Sequence, residues 1–133
     1  MRRKKQENPL LTEVELEFMN VVWDLEGGTV RDILAELNKT RERAYTSVAT
    51  VLKIMEQKGF LTSARRDRSL VYHPSVPKAE YQKKTLKNLS SKLFNDTPAA
   101  LVARLVEDED VTSETLEDIR AILNERLEEG NGS

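Results

Sequence analysis

The stretch Tyr45-Thr46-Ser47-Val48-Ala49-Thr50-Val51-Leu52-Lys53-Ile54-Met55-Glu56-Gln57-Lys58-Gly59 decides how this chain is read. Val48, Val51, Leu52 and Met55 recur at helical spacing, which predicts a helix over about 45–58 stopped by Gly59. Opposite that stripe, Thr46, Ala49, Thr50, Lys53 and Gln57 follow the same period. Their side chains are short near the helix start and longer and polar after it. A helix that enters a DNA major groove needs short side chains where its backbone lies close to the base edges. Hydroxyls there bond bases or phosphates, and methyl groups meet thymine methyls. Tyr45 and Ser47 stand at the N-terminal end, where the helix dipole favours a phosphate. A merely solvated helix face has a similar composition, so the flanking segments have to decide.

Downstream, Phe60–Ala64 and Ser69–His73 are short extended runs separated by Arg65-Arg66-Asp67-Arg68, a pattern that predicts a hairpin with a charged tip. Arginines on such a wing neutralise backbone phosphates or enter the adjacent minor groove. Upstream, Thr12-Glu13-Val14-Glu15 has the form of a capping box for a helix of about 13–26. That helix is apolar nearly all round, which predicts a central, deeply buried position, and Gly27-Gly28 ends it. Thr29 caps a second helix with Val30, Ile33, Leu34 and Leu37 on one face, and polar Asn38 to Arg43 form a turn. Three short helices followed at once by a basic hairpin favour DNA binding over a chance polar face.

Pro74 and Pro77 break the chain before a helix of about 78–94. Thr97-Pro98 then opens a short helix to about Val106, Glu107-Asp108-Glu109-Asp110 makes an acidic break, and Thr112 or Ser113 caps a last helix to Gly130. Tyr81, Leu89, Leu93, Leu101, Leu105, Leu116, Ile119, Ile122, Leu123 and Leu127 are more apolar surface than three short helices can bury alone. Covering it with the same helices of a second copy makes an isologous interface. Folding back onto the first three helices is the alternative.

The bulk properties agree. A chain of 133 residues that is 38% hydrophobic and 33% charged has room for one domain, or for a small domain plus an oligomerisation segment. Residues 1–76 carry 13 Lys/Arg against 11 Asp/Glu, and residues 77–133 carry 8 against 12, so the basic half is the DNA-facing candidate. Without Cys there are no disulfides, thiolate metal sites or Cys nucleophile. No uncharged run approaches the roughly 20 residues of a membrane span. The basic Met1-Arg2-Arg3-Lys4-Lys5 is followed by no apolar segment and is not read as a secretory signal, so a cytoplasmic location is expected without direct membrane binding. Arg2 to Lys5 are either a plain terminus or an arm on DNA phosphates. His73, the only histidine, has no nearby carboxylate or Cys partner in sequence and reads as structural, and Trp23 reads as core. The run Glu107 to Asp110 lacks the ligand spacing of a cation loop. No phosphate loop, nucleophile elbow or acid/base pair is visible, so no catalytic residue, metal or cofactor is expected.

Together, Leu11-Thr12-Glu13-Val14-Glu15 with Val21-Val22-Trp23, Ala44 to Leu52, Lys58-Gly59-Phe60-Leu61-Thr62 and Val71-Tyr72-His73-Pro74 resemble the penicillinase and methicillin-resistance repressor family. Lys92-Leu93-Phe94 and Leu116 to Leu123 continue the likeness over nearly the whole chain. The resemblance implies a mainly α fold with a small β-hairpin wing: a winged helix-turn-helix over 1–76 and a helical dimerisation domain over 77–133. It also implies a homodimer on dyad-symmetric operator DNA. The expected DNA contacts are Tyr45, Thr46, Ser47, Ala49, Thr50, Lys53, Arg65, Arg66 and Arg68. In well-known members a membrane sensor protease triggers release by cutting the dimerisation domain. The corresponding bond here is Arg104–Leu105, where those members have an Asn-Phe pair. Copper-responsive relatives use a C-terminal cysteine cluster, which this chain lacks. The competing reading is a winged-helix protein-interaction module without specific DNA binding.

Overall fold

A computed structural model describes residues 10–131. The elements run α1 (Glu13–Leu25), β1 (Gly28–Thr29), α2 (Val30–Leu37), α3 (Tyr45–Gln57), β2 (Leu61–Arg66), β3 (Ser69–Pro74), α4 (Lys78–Leu93), α5 (Pro98–Val106) and α6 (Ser113–Asn131). The fold is mainly helical, with one three-stranded antiparallel sheet in the order β1-β3-β2. The basic arm Arg2 to Lys5 and the last two residues of the Gly-Asn-Gly-Ser tail lie outside the described residues.

Helix starts follow the capping chemistry in the sequence. Thr12 and Glu15 close a capping box on α1, and Thr29 and Asp32 close another on α2. Thr112 Oγ1 accepts the Thr115 amide 3.1 Å away and caps α6. The end of α1 is less usual. Glu26 itself adopts the left-handed conformation (φ 61°), with its amide on the Trp23 carbonyl and the Gly27 amide on that of Val22. Gly27 follows at φ 119°, and a Cβ there would come within 2.4 Å of His73 Nδ1, so only glycine fits beneath that ring. α6 runs through Gly130 to Asn131 instead of stopping at the glycine. One helical glycine costs about 1 kcal/mol relative to alanine, which lowers stability without forcing a stop.

The first compact unit ends at Thr85, and the second begins at Leu86, within α4. In the first unit, α1 contributes Phe18, Met19 and Val22 to the core, α2 adds Ile33 and Leu37, and α3 adds Val48, Leu52 and Met55. α1 is less enclosed than its composition suggests: Val14 is exposed, and Leu16, Val21, Trp23 and Leu25 are half-buried. The helix buries one face, because the core offers partners on one side only. The sheet also exceeds expectation. Gly28 and Thr29 pair with Tyr72 and Val71 as a third strand, too short to leave a periodicity signal.

Tyr81 corrects two expectations. The sequence pattern puts it in a dimer interface beyond a boundary at residue 76, yet it is buried in the first unit. Its ring packs edge-on against Phe60 and tilted against Trp23, and its hydroxyl accepts the Leu11 amide. The first turns of α4 therefore complete the first core. The second unit has the opposite character: no described side chain from Leu86 onward is buried. Leu93, Leu105, Ile122 and Leu127 are 55–65% exposed. Its local turns are nonetheless well made. Asn95 and Asp96 both take positive φ, which short polar side chains tolerate, and Asp108 Oδ1 accepts the Asp110 amide in the acidic break.

Candidate nucleic-acid interface

The presentation of α3 begins with Arg43. Its side chain is buried between α2 and α3, donating to the carbonyls of Leu37 (2.7 Å) and Arg41 (2.9 Å) and to the Glu17 carboxylate of α1. Asn38 Oδ1 accepts the Arg43 amide at 2.8 Å. Read in sequence as a featureless polar turn, this segment is a hydrogen-bonded brace that fixes the angle of α3. The clue in the sequence was one arginine within reach of the carbonyls that end α2.

The N-cap of α3 is Ala44, which has no side chain able to cap it. The amides of its first turn therefore have no side-chain cap. Thr46, Ser47, Thr50, Lys53 and Gln57 are exposed along the helix, with Ile54 beside them. Ala49 departs from expectation: it is half-buried against the core, so the free face is rotated away from it toward Ser47 and Ile54. Thr50 Oγ1 donates to the Thr46 carbonyl at 2.9 Å, which leaves its methyl and its acceptor lone pairs for an incoming base.

The wing is tighter than the sequence suggested. β2 continues through Arg66, and Arg65 and Arg66 pair with Leu70 and Ser69, so the turn is only Asp67-Arg68, with Asp67 at φ 56°. Strand alternation separates the arginines. Arg65 and Arg68 line a groove of about 380 Å³ together with Tyr45 of α3 and Arg31 of α2. Arg66 lines a different groove with Asp67, His73 and Asp32. The three wing arginines do not line one groove.

Ion pairing sharpens the charge map. Of the eight basic residues in 39–68, Lys39, Arg43 and Lys58 are paired with Glu36, Glu17 and Glu15. Arg41, Lys53, Arg65, Arg66 and Arg68 make no ion pair among the described residues, and all five are exposed. Arg31 also lacks a carboxylate partner there, and its guanidinium lies 5.5 Å from the centroid of the Tyr45 ring. The buried Glu15 is held differently. Burial alone would raise its carboxyl, but the Lys58 ammonium at 2.6 Å and the Thr12 amide keep it below the usual carboxylate range. Burial, with Glu56 and Tyr45 nearby, pushes the Tyr72 phenol up, so it stays neutral at physiological pH.

Comparison with known proteins gives a consistent picture. The penicillinase repressor family matches residues 11–125. The methicillin resistance regulatory protein MecI of Staphylococcus aureus (strain Mu50 / ATCC 700699) is 26% identical over 116 residues, covering 87% of this chain and 94% of that one. The penicillinase repressor of Bacillus licheniformis is 25% identical over 117 residues, covering 88% and 91%. Among solved structures, the DNA binding domain of the repressor BlaI is similar at 28% identity and a TM-score of 0.51, covering 57% of this chain and 93% of that one.

Proposed function

The chain belongs to the penicillinase repressor family, and on that premise we propose that it is a transcriptional repressor whose homodimer binds a dyad-symmetric operator. The observation that carries this reading is the exposed α3 face, braced by Arg43 and flanked by unpaired wing guanidiniums. The first unit is then the DNA reader, with Thr46, Thr50 and Lys53 toward the bases and Tyr45, Ser47 and the wing arginines on phosphates. Among the described residues no helix is long and apolar enough to cross a membrane. We place the protein in the cytoplasm with its operator.

The second unit supports the homodimer. A helical segment without a buried side chain gains little from folding alone, whereas apolar burial contributes about 25 cal/mol per Å². Leu89, Leu93, Leu105, Leu116, Ile122 and Leu123 are exposed, and Leu101 and Ile119 half-exposed, so all are available to a second copy. An inducing signal that separates the copies would release the operator. For the proteolytic route, the Arg104–Leu105 bond lies in the last turns of α5, with Arg104 paired to Glu107, so a protease would have to unwind that end first.

Selection from a randomised duplex pool tests the reading. Enrichment of sequences with dyad symmetry, half-sites about 34–36 Å apart or a multiple of that, is the expected result. Failure to enrich any sequence would reject the repressor and favour the protein-interaction module.

A further inference from the structure

The groove between α2, α3 and the wing has a composition that neither helix nor hairpin reveals alone. Its lining brings together Arg31, Tyr45, Arg65 and Arg68, three guanidiniums and a phenol, over Val30 and Leu70. No carboxylate among the described residues lines it. Asp32, next to Arg31 in the chain, is turned back into the capping box, where its Oδ2 accepts the Thr29 amide at 3.0 Å. Asp67, next to Arg68, lines the other groove. Like charges converge here without internal neutralisation, an arrangement that is unfavourable in the free protein and is relieved by an anion.

We propose that Arg31 clamps a DNA backbone phosphate in this groove, making α2 a third DNA-contacting element beside α3 and the wing; this rests on the repressor reading above. Arg31 stacks near the Tyr45 ring, which restricts the guanidinium and leaves its planar fork of donors for a phosphate. Tyr45 is the first residue of α3, so its ring fixes the groove to the start of that helix. The walls are the start of the reading helix and the wing. A strand whose major groove takes α3 and whose adjacent groove meets the wing must carry its phosphates between them. The chemistry recognised is a phosphate, either a phosphodiester or a free anion, and its position between two DNA-facing walls selects the phosphodiester.

Backbone contacts carry no sequence information, so a short fluorescent duplex of arbitrary sequence suffices as the probe. Anisotropy titrations over a salt series give the slope of log affinity against log salt. Arg31→Gln should lower that slope by about 0.9, the value for one phosphate contact on duplex DNA. Arg31→Lys should keep the slope while weakening binding several-fold, because the charge stays and the fork is lost. Lys39→Gln, just past the far end of α2 and paired with Glu36, is the charge-matched control and should leave the slope unchanged. An unchanged slope in Arg31→Gln, with the slope reduced in Arg65→Gln, would overturn the Arg31 assignment and leave the DNA reading standing. A wild-type protein with no salt-dependent DNA binding would remove both. Displacement of DNA by inorganic phosphate at matched ionic strength, seen in the wild type and abolished in Arg31→Gln, would make the groove a free-anion site and overturn the backbone assignment.

Discussion

The Tyr81 hydroxyl accepts a hydrogen bond from the Leu11 backbone amide at 2.8 Å, joining residues 70 positions apart. Leu11 lies just ahead of the α1 cap, and Tyr81 lies in the first turns of α4. The bond therefore closes the first unit by tying its beginning to its end. Trp23 adds a second tie, its indole N–H donating to the Val76 carbonyl at 2.8 Å.

A truncation after Pro74 should accordingly be unstable, and one ending at Thr85 should fold as a monomer. Removing Tyr81 takes a buried aromatic from the core, for which a cost of about 3–5 kcal/mol is typical. Tyr81→Phe, which keeps the ring and loses only the bond to Leu11, should cost about 0.5–1.5 kcal/mol. Urea denaturation followed by the fluorescence of Trp23, the only tryptophan, measures all three. Equal stability of the two truncations would contradict the role given to Tyr81.

Replacing Thr50 by Leu should leave the fold intact, because the side chain is exposed, and should cost about 1–3 kcal/mol of operator affinity. Binding to arbitrary duplex should change much less. Normal operator affinity in a folded Thr50→Leu protein would exclude α3 as the reader.

Leu123→Asp and Ile122→Asp should shift the full chain from dimer to monomer, since each puts a charge into a contact made of apolar surface. Sedimentation equilibrium distinguishes the species. The wild type as a monomer at micromolar concentration would rule out this use of the second unit. The monomeric variants should also bind the operator on the order of 10²–10⁴-fold more weakly, having lost the linkage between half-sites.

Acid should weaken the first unit through Glu15. Its carboxyl titrates below the ordinary value of 4.5 in the folded chain, so the unfolded state binds its proton first as pH falls. The stabilisation is fully present above about pH 4.5 and disappears as pH drops through the folded pKa. Glu15→Gln should therefore be less stable than the wild type by a constant amount from pH 5 to 8. The two should converge below pH 4.5. A stability gap that persisted at low pH would mean that packing, rather than ionisation, sets the difference.

Much of this protein was legible in its residues, because local chemistry leaves local signals. Thr12 with Glu15 and Thr29 with Asp32 marked helix starts, since capping side chains reach only three residues. Of the stripe Val48, Val51, Leu52 and Met55, all but the half-buried Val51 are buried, since 3.6-residue periodicity and burial are one fact seen twice. The wing and the basic character of the first unit followed from alternation and from charge. What the tertiary structure alone decided were relationships between residues far apart in the chain. The pairing of Gly28 with Tyr72, the Arg43 bridge to Glu17, and the place of Tyr81 against Phe60 each depend on a partner that no local pattern specifies. The same holds for the arginines. Sequence presents Arg65, Arg66 and Arg68 as one cluster, and strand alternation sends Arg66 to another face while the packing of α2 brings Arg31 to join the other two. Charge can be counted along a chain, but the groove in which it acts exists only once separate elements pack together.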